Sequence, residues 1–187
     1  MKASIWRILF AGLITFEVLV WLEFIPLTTT FTILGLIITQ VAVWVILEII
    51  QVRLRRPYAW WVMTLVVLAV MLDAAGDLFH WYTTFYWYDA VLHLFGSGVA
   101  AVWVWNTLMI VYSQRAPYKL IFMGACGIAI ALGVGYEIEE YLEDFFTGSH
   151  RLGDGFDTAN DLLLNTTGVL LAVISLTLSK RANYPWR

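Results

Sequence analysis

Charge is scarce in this chain. Asp, Glu, Lys and Arg make up 13% of its 187 residues, about half the share of an ordinary soluble domain. Hydrophobic residues make up 61%. That imbalance excludes a soluble globular domain and leaves the bilayer as the solvent. Cysteine is nearly missing: Cys126 stands alone in an apolar run, which excludes a disulfide framework and a thiolate metal site and leaves a small packing residue. There is no internal repeat, low-complexity tract, Gly-rich nucleotide loop or basic surface for nucleic acid. No ten-residue alternation of barrel type occurs, so helices are the means of satisfying the backbone in lipid.

Apolar runs are plentiful. Ile8–Ile25, Phe31–Ile50, Tyr58–Leu72, Ala90–Tyr112, Leu120–Tyr136 and Leu162–Leu178 approach the roughly 20 helical residues needed to cross about 30 Å of hydrocarbon. The shorter ones reach that length by extending into their polar outer ends. The expectation is an all-α, polytopic membrane bundle of about six helices, forming one integral membrane domain over residues 1–187. Lys2 and Arg7 precede the first run as in a signal peptide. Glu17 and Glu23 interrupt it, however, and no small-x-small cleavage site comes before Pro26, so an uncleaved span is expected.

Basic residues cluster at Lys2/Arg7, Arg53/Arg55/Arg56, Arg115/Lys119 and Lys180/Arg181/Arg187. With six spans all four groups fall on one side. The positive-inside rule makes that side, with both termini, cytoplasmic, as expected of a multi-pass protein of the cell's inner (plasma) membrane. The acids fall toward the other face, except Glu48 near the inner side and Glu17 at intermediate depth. An acid within a span costs about 2.5–3.5 kcal/mol at the helix centre on insertion scales, so those inside the helices need a reason.

Asp73, Asp77 and His80 are spaced i, i+4, i+7 at the end of the third span, on one helical face. An aromatic outer turn, Trp81–Tyr88, follows. Asp89 and His93 stand at i, i+4 at the start of the fourth span. The fifth ends in "GYEIEEYLEDFF", with Glu137, Glu140 and Asp144 on one face. The last opens with "GDGFDTANDLLLNTTG", where Asp157, Asp161 and Asn165 are spaced i, i+4, i+8. At 1.5 Å per residue these polar faces share one slab in the outer leaflet, Asp161 and His93 each about 6 Å inside their helix starts. The slab is expected to form a single pocket.

Two imidazoles with several carboxylates suit a divalent ion such as Zn, Mn, Mg or Fe, and helical di-metal proteins are built from similar ligands. Metal-free His–Asp acid–base chemistry uses the same residues. Neither HExxH nor a single-helix ExxH is present. Glu139, Glu143, Asp144 and Asp154 are expected as a solvated rim, and Glu17 and Glu23 as snorkelling or paired near a helix end. Arg151, the one outer cation, reads as an oxyanion clamp or as a salt-bridge partner of nearby acids.

"WYDAVLHLFGSG", "GYEIEEYLEDFF" and "DTANDLLLNTTG" resemble the YjdF-type family of small integral membrane proteins over about residues 58–178, and more loosely the VanZ-like proteins. The resemblance marks Asp89, His93, Glu137, Glu140, Asp157, Asp161 and Asn165, with Asp77 and His80 upstream. The YjdF-type family lacks an assigned reaction. The VanZ-like proteins, associated with glycopeptide-antibiotic resistance, imply cell-envelope lipid or wall precursors. This chain has Ala90 where they tend to carry Lys, and Glu140 where they tend to carry Gln.

The expected function is a metal-dependent hydrolase or transferase at the outer leaflet, with membrane lipids as surroundings and a lipid-linked substrate. Asp77, His80, Asp89, His93, Asp157 and Asp161 would hold the metal, Glu137 or Glu140 would be the base, and Asp73 and Asn165 would support them. A divalent-cation or proton transporter is the alternative, weakened by the apolar inner halves of the spans; a non-catalytic metal- or head-group-binding accessory protein is another.

Overall fold

The computed structural model describes the backbone of residues 3–112 and 116–183, and side chains of 5–112 and 116–179. The basic residues Lys2, Arg115, Lys180, Arg181 and Arg187 lie outside the described side chains. The helices are α1 (Ala3–Trp21), α2 (Ile33–Leu54), α3 (Trp60–Leu78), α4 (Trp81–Thr84), α5 (Tyr88–Tyr112), α6 (Tyr118–Thr147) and α7 (Gly155–Asn183). No strand occurs among the described residues.

Among the described residues, α2, α3, α5, α6 and α7 to Ser179 are long and apolar enough to cross a bilayer. The 19-residue α1 takes the place of the first expected run. At most 44% of any crossing window is buried, so Ile38, Val52, Leu132 and Leu163 are exposed while Glu17, Asp77, Glu137 and Asp161 are interior. Soluble helices distribute these residue types the other way round. The surface requires lipid, and the chain is an all-α, polytopic membrane protein.

Helix ends follow local chemistry. α2 stops at Arg55, whose φ of 51° is left-handed, two residues before Pro57. α6 runs past the expected Tyr136 because nothing in "EIEEYLEDFF" breaks a helix. It stops at Gly148 (φ 71°), whose amide donates to the Asp144 carbonyl, a glycine stop. α7 starts after Asp154, whose carboxylate accepts from the amides of Phe156 and Asp157 at 2.8 and 3.0 Å. Asp154, expected in a rim, is this helix's cap.

The chain forms two compact units. The first comprises residues Met1–Asp89 and Glu140–Leu152. Its core is Leu36, Ala74 and Leu78 with Leu13, Phe16 and Ile33 against them. Near the start of α1, Arg7 grips Glu48 of α2 at two points, 2.5 and 2.8 Å. Exposed pairs of this kind contribute about 1 kcal/mol or less. The expected aromatic turn folds back on α3: Tyr88 Oη donates to the Leu72 carbonyl, and the Tyr82 and Tyr88 rings occupy the room left by the absent side chain of Gly76.

The second unit comprises Ala90–Glu139 and Gly153–Arg187. Ala101, Val104 and Trp105 of α5, Ile121, Ala125 and Ala129 of α6, and Val169 and Val173 of α7 form its core. Small residues let the backbones close in. Gly168 sits against the Leu94 carbonyl and Ser97 Oγ, Gly98 sits against Gly168, and Gly133 faces Asn165. Such approach is how helices associate where lipid supplies no hydrophobic drive. It also sets the register that decides what lies one or two turns nearer the start of α5 and α7.

Candidate functional site

In the second unit that register brings His93, Glu137 and Asp161 together. His93 Nδ1 lies 3.5 Å from Glu137 Oε1 and Nε2 lies 3.8 Å from Asp161 Oδ2. All three side chains are at most 5% exposed. Tyr136 meets the imidazole edge-on at 5.9 Å. The ring thus has a carboxylate opposite each nitrogen, in an interior with little water to screen charge. Asn165, one turn after Asp161, is 5% exposed and its Nδ2 has no partner among the described residues. Asp157, at the head of the same face, is exposed and leans over Gly153. Along α5, Asp89 precedes His93 by one turn; along α6, Glu140 follows Glu137 by one turn.

The donor set suits a divalent ion. Metal–nitrogen and metal–carboxylate bonds of about 2.0–2.2 Å let one ion bridge two atoms that are 3.8 Å apart, the His93–Asp161 separation. The Glu137 carboxylate would then hold the far nitrogen, the usual way an outer carboxylate orients a metal-binding imidazole.

Asp77 and His80 belong to the first unit, in a different arrangement from the shared helical face expected of them. α3 ends at Leu78, and His80 lies beyond it with φ 57°. Thr28 Oγ1 is 3.1 Å from its Nε2 and Thr30 Oγ1 is 3.1 Å from its Nδ1. The Thr30 hydroxyl proton goes to the Asp77 carbonyl, so in the neutral ring Nδ1 donates to Thr30 and Nε2 accepts from Thr28. That leaves no lone pair for a metal. Asp77 Oδ1 accepts from the Phe31 amide at 2.7 Å. Together Asp77 and His80 latch the 28–32 linker onto the end of α3.

Arg151 is held equally firmly. Its side chain is 5% exposed, with Nε 3.0 Å from Glu140 Oε1 and Nη2 3.2 Å from Asp73 Oδ1. It lies over the rings of Phe31 and Tyr82 at 5.2 and 5.9 Å. Asp73 also accepts from Tyr82 Oη at 2.6 Å. Of the two readings of Arg151, the salt-bridge one describes this geometry. Asp144, expected as rim, gathers the loop beneath it, accepting from Ser149 Oγ and from the amides of Arg151 and Leu152.

Residues 7–182 match DUF2238, a family described as predicted membrane protein. The chain belongs to this family. No curated protein and no solved structure matches it. The DUF2238 match supports the membrane-protein family implied by the three motifs, but carries neither the YjdF-type label nor the likeness to VanZ.

Two features of this DUF2238 chain escaped sequence reasoning. Glu17, expected to snorkel or pair near a helix end, is fully buried and paired, and its partner, Gln40 of α2, is the residue that went unmarked. A single Gln in an apolar run has no periodicity to mark it, though any polar residue in a span is a signal. Glu143, expected in a solvated rim, is 7% exposed and caps α2 from outside: its Oε1 accepts from both the amide and the hydroxyl of Thr32. In a capping box the third helical residue supplies that carboxylate. Here that residue is Gly35, and a Cβ there would overlap the Glu143 carboxylate. Glu143→Ala is therefore expected to destabilise the protein by about 1–2 kcal/mol. Gly35→Ala should be destabilising by less, about 1 kcal/mol, because the gain in helix propensity of about 0.5–1 kcal/mol offsets part of the displaced cap. Denaturant unfolding in detergent measures both.

Proposed function

We propose that this protein is an integral membrane enzyme that uses a divalent metal ion (Zn, Mn, Mg or Fe) to hydrolyse or transfer a group on a lipid or lipid-linked envelope substrate. The observation that carries the reading is the buried His93 imidazole with a carboxylate opposite each nitrogen. His93 Nε2 and Asp161 would hold the ion. Glu137 would fix the ring by its Nδ1 proton, so it becomes a positioning residue and not the base first expected. A metal held there would supply Lewis acidity and lower the pKa of a nearby water. Asn165 Nδ2 is a free donor for charge developing on a substrate oxygen, a role that Arg151 cannot take while bound to Asp73 and Glu140. Asp77 and His80 stand outside the ligand set because their polar atoms hold the linker, and Asp157 because it is exposed.

The substrate class rests on location: a centre carried by membrane helices meets lipid-borne groups first. The basic clusters support cytoplasmic termini in the plasma membrane and a centre nearer the opposite face. Elemental analysis of gently purified protein should find stoichiometric divalent metal. Protein that carries none and takes none up on re-addition would defeat the metal reading.

Passage of a cation or proton is a second reading, favoured by the buried Glu17–Gln40 pair, which adds polar groups to α1 and α2. Flux into proteoliposomes that persists in His93→Ala would select it.

A further inference from the structure

Glu17 lies in the middle of an apolar stretch of α1 and is 0% exposed; Gln40 of α2 is 1% exposed. Gln40 Nε2 donates to Glu17 Oε1 at 2.6 Å. Each side chain has one polar atom left, Glu17 Oε2 and Gln40 Oε1, and neither finds a partner among the described residues. Both are oxygens, and two acceptors cannot bond to each other. No Lys, Arg or His is hydrogen-bonded to Glu17 among the described residues.

We propose that Glu17 is an intramembrane proton-binding site, held as a neutral carboxylic acid in a two-point pair with Gln40. With the proton on Oε2, the acid hydroxyl donates to Gln40 Oε1 while the amide donates to Glu17 Oε1. One proton accounts for both orphaned atoms. Exchanging the amide nitrogen and oxygen of Gln40, an assignment set by hydrogen bonding alone, would put an oxygen 2.6 Å from Glu17 Oε1 and again require a proton. A metal ion fits less well. Calcium or magnesium needs about six or more oxygens, while the residues beside Glu17 and along the packed face of α1 and α2 include Phe16, Leu13 and Leu36. Buried carboxyls in spans mark proton-handling sites, and this one lies outside the His93 centre and does not depend on its metal.

Infrared spectroscopy of the purified protein in detergent at neutral pH tests the assignment. The native protein should show the carbonyl stretch of a protonated carboxylic acid, reduced by one carboxyl's share in Glu17→Gln. That variant should unfold at the native temperature, because an amide forms the same two-point pair. Gln40→Leu keeps Glu17 but removes its donor, so the band should persist and move to higher frequency; this variant serves if Glu17→Gln does not fold. A native spectrum without the band, a band unchanged in Glu17→Gln, or a band unmoved in Gln40→Leu would overturn the proposal. So would a native unfolding temperature raised by NaCl or CaCl2 but not by matched choline chloride, with the rise lost in Glu17→Gln, since that would mean a bound metal cation.

Discussion

His93→Ala should leave the purified protein without bound divalent metal, whereas Glu137→Gln should retain it with affinity lower by about 10–100-fold. The difference follows from the two sides of one ring. His93 Nε2 faces Asp161 at 3.8 Å, a separation an ion can bridge, while Nδ1 faces Glu137 at 3.5 Å. Losing the imidazole removes a ligand atom; losing the Glu137 charge removes what orients and polarises it. Circular dichroism should show native helix content in both variants, and metal titration by calorimetry should separate them. Equal loss of metal in both would make Glu137 a ligand, and equal retention would remove His93 from the site.

The largest loss of stability is expected at Gly168. A Cβ there would meet the Leu94 carbonyl oxygen and Ser97 Oγ, and a backbone carbonyl cannot swing aside as a long side chain can. Overpacking of this kind costs about 1–3 kcal/mol. Alanine's better helix propensity, about 1 kcal/mol, recovers part of it, so Gly168→Ala should still be destabilising and Gly168→Leu more so. Gly127, with nothing within 4 Å of a Cβ, is the control, and Gly127→Ala should be neutral or stabilising in the same thermal unfolding assay. Because the Gly168 crossing sets the α5–α7 register, Gly168→Leu should also disturb the His93–Asp161 pair and lower metal retention. A Gly168→Leu protein as stable as the native one would show that the two helices do not need this approach.

The fold class was legible because apolar runs of span length recur along a charge-poor chain, a signal that needs no partner to be read. His93, Glu137 and Asp161 were legible as a set because each stands in a span where a charge demands a reason, at similar depth from its helix start. His80 was misplaced because an i, i+7 spacing fits a helix face only while the helix lasts, and α3 ends two residues earlier, at Leu78. Which acids are lone and which are engaged was not legible. Glu143 and Asp144 are adjacent and chemically alike, yet one caps α2 and the other gathers the 149–152 loop. Sequence spacing along α6 says nothing of the Thr32 amide, 111 residues away. Gln40 escaped notice for a similar reason: its importance lies in the residue it meets on another helix.

That distant cap also bears on how the protein is made. Translation delivers Thr32 long before Glu143, so α2 must enter the bilayer with its leading amide and hydroxyl still waiting for their acceptor. The first unit can therefore be completed only when the far end of α6 emerges, and a chain interrupted before Glu143 would hold several inserted helices yet lack the clasp that closes them.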